Sequence, residues 1–546
     1  MDALQTEPAE VAYTNGRIYT VNEGEPWVEA VAIKDGRFVV VGSNEDVAAV
    51  TGPDTEVINL QGGFALPGLI DVHAHPSLLM EKRAFCELPG TFYEPTEADI
   101  LGALTDSIAN YPEDQEWFIG HGFSTPAMSP ETLTRAVLDK LIPDKPAYIE
   151  DEGGHNAWFN TKAMELAGVT AEWEDTPEVF FSRTESGDLA GVAYEGAMNP
   201  FLDVLPAFDI ELSKLAFTKF IDQAVAKGVT AMGDAYTFER QLPAWETLHR
   251  EGRIHNHINL YLKGNLGTAE LTPVEDLIRQ FESFDLPGHR GVKVGMGGAI
   301  ESVTSPLVDG YRDPANSAET IIATDVLADY VTELDAAGFQ LIVHAIGDGT
   351  VRATIDGFEP TIRANNGNPL RHRIDHCSLV HPDDFGRLVE LDIAGTIWPP
   401  LNAPVAYNTA GIRPMLKDET WARMYANRDM WDAGIRLANH SDAPAAVLWP
   451  WWGIEATITR GFPGKPELGK LGEDQALTLE ESLQAHTINA AWSLHLDEIT
   501  GSIEVGKSAD MILLDRDLFD IPVTDIHETV VLKTVFKGKV VYQKRN

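Results

Sequence analysis

Eight short apolar runs recur through the middle of the chain, separated by stretches with helical spacing of apolar residues, and that rhythm admits few folds. The runs are FALPGLIDV (64–72), GVTAMGDA (228–235), INLYLKG (258–264), GVKVGM (291–296), FQLIVHAI (339–346), RHRIDHC (371–377), DIAGTIW (392–398) and IRLANHSD (435–442). Intervening stretches such as VLADYVTELDAAG and FGRLVELD carry apolar residues three or four apart and end near glycine or just before the next run. Eight strands alternating with helices predict an α/β chain folded as a (β/α)8 TIM barrel, whose chemistry gathers at the C-terminal strand ends.

The first and second runs stand about 155 residues apart, far more than one βα connection holds. An inserted subdomain is expected at about 77–215, with a helix around ADILGALTDSIANY and the block DEGGHNAWFNTKAMELAG. Insertions in such barrels emerge from βα loops on the active face, so this one reads as a lid.

The two ends have a different texture. VAYTNGRIYTV and VEAVAIKDGRFVVVG carry Asn15-Gly16 and Asp35-Gly36 between β-branched residues, the usual hairpin signal, so the chain is expected to open as an antiparallel sheet. GKSADMILLD and TVFKGKVVYQ, with Lys537-Gly538, repeat the pattern at the far end. Isolated hairpins are marginal in water. Residues 1–63 and 496–546 are therefore expected to pair as the two parts of one small β-sandwich domain, flanking a barrel domain at 64–495.

Composition excludes several classes of function. No apolar stretch of the 546 residues approaches the ~20 a membrane helix needs. The formal net charge of −43 repels polyanions, which excludes nucleic acid and anionic membranes as partners and leaves a small-molecule substrate; it also suits a solvated acidic surface in a salt-adapted organism. The two cysteines, Cys86 and Cys377, form no C-x-x-C spacing, so neither a disulfide scaffold nor a zinc ribbon is expected. The start, MDALQTEPAE, is acidic and lacks an apolar core, which favours a cytoplasmic location.

At the end of the first run stands Asp71-Val72-His73-Ala74-His75-Pro76, whose last four residues continue beyond it. Residues two apart on a strand share a face, so His73 and His75 can share one metal ion. Among 16 histidines such a pair is common by chance, but later runs also finish in metal-competent residues: His344 in LIVHAIGD, His376 in RHRIDHC and Asp442 in ANHSDAP. Packing explains this poorly, because imidazoles and carboxylates buried without partners carry a desolvation cost. Lys293, in GVKVGM, is a lone lysine in an apolar strand, which ordinarily snorkels or pairs with a carboxylate. Trp398 ends the seventh run, and Trp449, Trp451 and Trp452 follow the eighth; they read either as an aromatic substrate pocket or as packing of a helix onto the barrel. Residues 501–508 match the phosphate-loop expression G-x-x-x-x-G-K-[ST], but ADMILLD after them reads as a strand where a helix is required, so nucleotide binding is rejected.

The order H-x-H, Lys, His, His, Asp, with ALPGLIDVHAHP before it and GSIEVGKSADMILLD after it, resembles the metal-dependent amidohydrolase superfamily. More narrowly it resembles the amidohydrolase-3 subgroup, which includes N-substituted formamide deformylases. GGHNAWFNTKAMELAG, HAIGDG, RIDHC and SDAP are similar to that subgroup's patterns, and the resemblance covers nearly the whole chain. It implies one or two divalent cations, zinc being expected. His73 and His75 would hold the more buried ion, with Asp442 completing its shell; His344 and His376 would hold the second, bridged by Lys293 carboxylated with carbon dioxide. Asp442 would take the proton of the metal-activated water and pass it to the departing nitrogen. His155, in GGHNAW, resembles a histidine facing the site from the lid; a loop histidine satisfied by backbone is the alternative.

Two departures stand out: Met296-Gly297-Gly298 where many subgroup members have Asp-Gly after the lysine, and His440, which is left without a role. The implied reaction is hydrolysis of a non-peptide C–N bond in an N-substituted amide or formamide, with an aromatic substrate suggested by the tryptophans. A cyclic amide, lactone or ester is the alternative chemistry. A non-catalytic regulatory protein on the same barrel is the alternative class, disfavoured because all six ligand positions are filled. Related barrels often associate, which leaves a homodimer open.

Overall fold

The protein is described by a computed structural model over residues 8–90, 95–152, 156–175, 180–206, 209–265, 267–300, 303–399 and 411–545. All eight runs contribute parallel strands to one sheet: β1 (Leu69–Ala74), β2 (Val229–Thr237), β3 (His257–Lys263), β4 (Gly291–Gly295), β5 (Gln340–Ala345), β6 (Arg373–His376), β7 (Ala394–Ile397) and β8 (Leu437–Asn439). Each strand pairs with its neighbour in sequence. The sheet curls into a nearly closed barrel: beyond β8, the Asp442 N–H donates to the His73 carbonyl at 3.0 Å, bringing the last strand back to the first.

Side-chain alternation explains what faces inward. Val292 and Val294 of β4, Leu341 and Val343 of β5 and Ile374 of β6 share an apolar cluster with Leu327, Val331 and Leu334 of helix α1 (Thr324–Ala336) and Val351, Ile355 and Phe358 of helix α2 (Asp348–Ala364). Each such burial contributes roughly 1.5–3 kcal/mol. A one-residue slip of β4 would exchange those valines for Lys293, so the helix layer fixes the lysine on the opposite, inner face.

The first run is divided at Gly68: Phe64–Pro67 joins another sheet and β1 begins at Leu69. A Cβ at Gly68 would lie 2.0 Å from Thr230 Oγ1, so any residue but glycine would have to push Thr230 aside at the crossing.

Both chain ends build the sandwich. One sheet runs Lys539–Gln543, Val531–Phe536, Met511–Leu514, Phe64–Pro67, Arg17–Tyr19, Trp27–Val28, and its C-terminal strand pairs antiparallel with the N-terminal one from Met511 opposite Pro67 to Leu514 opposite Phe64. The second runs Arg37–Gly42, Ala30–Lys34, Val11–Thr14, Glu56–Asn59. Tyr13, Val31, Ile33 and Phe38 of the second share a core with Ile18, Ala65, Met511 and Val535 of the first.

Asp35-Gly36 and Lys537-Gly538 close two-residue hairpins, with φ of 49° and 72° and of 48° and 74°, as the left-handed type I′ turn requires. Asn15-Gly16 does not close one. Val11–Thr14 pairs with Ala30–Lys34 and, in parallel, with Glu56–Asn59, while Arg17–Tyr19 lies in the other sheet, so the opening sheet is mixed rather than antiparallel. The dipeptide carries the chain between layers, and burying Tyr13 and Ile18 on two sides of one core outweighs pairing their strands. The phosphate-loop look-alike leads into the strand Met511–Leu514, and the Lys507 ammonium is tied to Ser502 Oγ at 2.6 Å and Glu504 Oε1 at 3.1 Å.

A second compact unit comprises His75–Phe220 and Pro444–Val447. Its sheet runs Phe180–Arg183, Leu189–Tyr194, Asn156–Phe159, Ala147–Asp151, Phe118–Phe123. Ile149 and Trp158 pack in one cluster with Leu104 and Leu138, and Tyr148 and Phe159 in another with Phe181 and Phe201, so both faces of this sheet are covered. Its helix Glu97–Asn110 starts at a capping box between Thr96 and Asp99. Among the described residues no helix is long and apolar enough to cross a membrane.

Candidate metal centre

Asp71 and His73 of β1 share a face, and the histidine stands at the middle of a buried polar cluster. Its Nδ1 lies 2.7 Å from Asp375 Oδ2 and its Nε2 3.2 Å from Asp442 Oδ1. Lys293 of β4 places Nζ 3.0 Å from the same Asp375 oxygen and 3.4 Å from His73 Nδ1. The His376 ring is centred 5.0 Å from His73 and 4.4 Å from His344. Thus β1, β4, β5, β6 and the turn after β8 bring His73, Lys293, His344, His376 and Asp442 together. His75 opens the second unit, where it is buried and precedes the first turn of the helix Pro76–Arg83. His155 lies outside the described residues.

His440 joins the group. One ligand atom from each of His73, His440 and Asp442 lies within 4.8 Å of the other two, and all three residues are buried. Sequence reasoning left His440 unassigned and passed over Asp375. Strand alternation was the available signal for the aspartate, which shares the inner face with Arg373 while Ile374 packs outward. His376 reaches the same site one residue later because the backbone turns there, with φ of 79° at His376 and 41° at Cys377; Asp442 is likewise left-handed at 61°. Such conformations cost of order 1–3 kcal/mol each and gather at functional sites.

Charge is arranged to match. Burial alone would raise Asp375, but the Arg373 guanidinium, with Nε 2.9 Å from Oδ1, and the Lys293 ammonium hold its carboxyl well below the usual range. Burial lowers Lys293, and Asp375 opposes that shift. Burial also pushes His376 and His440 well below the usual imidazole range, and His344 down to about 3. All three rings are therefore neutral at pH 7, the form that ligates metal. Asp71 is raised by burial to about 6, although the Ser441 hydroxyl and its N–H, at 3.1 Å, both donate to it.

The tryptophans take different places in the fold. Trp398 is centred 5.6 Å from His376. Trp451 and Trp452 are buried in the helix Pro450–Thr459, the latter edge-on to Phe462, and serve packing. Met296, in the departure after the lysine, is buried in the barrel's outer apolar cluster, and its N–H donates to the His344 carbonyl at 3.2 Å.

A divalent cation fits these residues. Both ring nitrogens of His440 and Nδ1 of His376 are buried without a hydrogen-bond partner among the described residues. An unpaired buried polar atom costs about 1–3 kcal/mol, which a cation would offset. The 3.2 Å between His73 Nε2 and Asp442 Oδ1 is close to the edge of a tetrahedron, about 3.3 Å, whose centre lies ~2.0 Å from its ligands.

A (β/α)8 barrel with neutral imidazoles and a carboxylate gathered at its C-terminal strand ends defines a metal-site barrel. Comparison with family models matches the amidohydrolase family over residues 56–542. The N-substituted formamide deformylase of Arthrobacter pascens is 25% identical over 99% of each chain. Protein LONG AFTER FAR-RED 3 of Arabidopsis thaliana is 25% identical over 98% of this chain and 92% of its own. The crystal structure of an uncharacterized metal-dependent hydrolase from Pyrococcus horikoshii OT3 shares the fold, with a TM-score of 0.74 over 94% of this chain and 99% of that one at 22% identity. The chain belongs to the amidohydrolase family, and is a hydrolase acting on carbon–nitrogen bonds other than peptide bonds.

Proposed function

We propose that the protein hydrolyses an N-substituted amide or formamide at a divalent metal centre, zinc being the expected ion, built on His73, Asp442 and His440. The observation that carries the reading is the approach of those three ligand atoms to within 4.8 Å at the catalytic end of the barrel. The H-x-H pattern adds His75 as a further candidate ligand. A bound divalent cation lowers the pKa of water to about 7 and polarises a carbonyl. Asp442 is the residue able to take the water's proton and deliver it to the departing nitrogen, which leaves poorly unless protonated. His344 and His376, with Lys293 as its carbamate, are the residues a second ion would use; burial of the amine favours the neutral form that adds carbon dioxide, whereas the ion pair with Asp375 opposes it. His155, which lies outside the described residues, is retained from the sequence resemblance alone as a candidate catalytic residue.

The likeness to a formamide deformylase supports the choice of substrate class, and Trp398 beside His376 supports an aromatic group on that substrate. The test is a screen of N-formyl and N-acyl amines for amine release, before and after removal of metal with a chelator. Hydrolysis that vanishes on chelation and returns with zinc is expected; turnover indifferent to chelation contradicts the reading.

A further inference from the structure

Which nitrogen of an imidazole faces a metal is set by the hydrogen bond that the other nitrogen makes. His73 Nδ1 lies 2.7 Å from Asp375 Oδ2, nearer than its 3.4 Å to the Lys293 ammonium. A carboxylate accepts only, so the proton resides on Nδ1 and the lone pair on Nε2, the atom 3.2 Å from Asp442. Resting on the metal-dependent reading above, we infer that Asp375 is a positioning residue that commits His73 to bind the cation through Nε2.

Asp375 is fully buried and held from two sides. Arg373 Nε donates to Oδ1 at 2.9 Å and Lys293 Nζ to Oδ2 at 3.0 Å. The same guanidinium donates to the Val72 carbonyl at 2.6 Å and to the Tyr261 hydroxyl at 3.0 Å. Val72 directly precedes His73, so one arginine clamps both the carboxylate that orients the ring and the backbone that carries it. Two fixed donors, one on each oxygen, prevent the rotation of Asp375 away from the histidine.

Zinc affinity measured by competition with a chromophoric chelator, beside thermal unfolding of the zinc-free proteins, tests this. Asp375→Asn is expected to weaken zinc binding by about 10–100-fold, and Asp375→Glu to recover part of the loss. Tyr261→Phe removes an anchor of Arg373 without touching His73; it is expected to lower the melting temperature yet keep zinc affinity within about threefold. Wild-type affinity in a folded Asp375→Asn protein overturns the inference, as does an equal loss in Tyr261→Phe, which would mark the effect as structural. Should Asp375→Asn not fold, nitrogen-15 NMR of the histidine rings in zinc-loaded wild type decides. A His73 protonated at Nδ1 and bound at Nε2 supports the inference, and the reverse overturns it. Wild-type protein that takes up no zinc overturns the metal reading on which the inference rests.

Discussion

Trp398 lies face to face with His440, ring centroids 5.9 Å apart and planes within 21°, while its indole N–H donates to the Ser441 carbonyl at 3.0 Å. The tryptophan thus fixes both the histidine and the turn that carries Asp442. Trp398→Ala is expected to weaken metal retention about tenfold, with Trp398→Phe closer to wild type. Titration of both variants with zinc, read by chelator competition, checks this.

Buried neutral histidines make the metal-free protein acid-sensitive. His486 is lowered by burial from 6.5 to about 4 in the fold. The unfolded chain therefore binds more protons between those values, so the contribution of His486 is fully present above pH 6.5 and is lost as pH falls towards 4, to the extent of about 3 kcal/mol. Asp71 acts in the opposite sense: raised by burial to about 6, it favours the fold at low pH and costs stability as pH rises through 6. Urea midpoints across that range are expected to fall less steeply with acid in His486→Gln and more steeply in Asp71→Asn.

Gly68 separates the sandwich strand from β1 under Thr230. Gly68→Ala is expected to destabilise the protein by about 1–3 kcal/mol through overpacking. Equilibrium denaturation checks this, and the zinc content of the folded fraction is expected to stay unchanged.

A net charge of −43 imposes self-repulsion that salt screens. Raising potassium chloride from about 0.1 M to about 2 M is expected to raise the melting temperature by on the order of 5 °C. An unchanged or falling melting temperature would show that the acidic groups are already compensated.

The barrel was legible because its signal is local and repeated: eight apolar runs, several of them separated by stretches of helical spacing, each supply one strand of the eight-stranded sheet. Asp35-Gly36 and Lys537-Gly538 were legible for the same reason, since a type I′ turn depends on two residues alone. Asn15-Gly16 misled because the fate of that dipeptide depends on Tyr13 and Ile18 reaching one core from two sheets, which no short window contains. At the site, His73, Lys293, His344, His376 and Asp442 stood out as polar groups in apolar strands. Asp375 did not, and His440 was noted but given no role, because an aspartate beside a histidine and a histidine beside Ser-Asp acquire meaning only when strands hundreds of residues apart meet. The distances from Asp375 to His73 and from His73 to Asp442 are properties of closure, not of spacing.

Crystals grown with zinc and measured at the zinc absorption edge test the metal centre most directly. The expected result is an anomalous peak bonded to His73 Nε2 and an Asp442 oxygen at roughly 2.0–2.2 Å, absent in His73→Ala. Zinc bound elsewhere, or none between those residues in a protein that still hydrolyses its substrate, would contradict it.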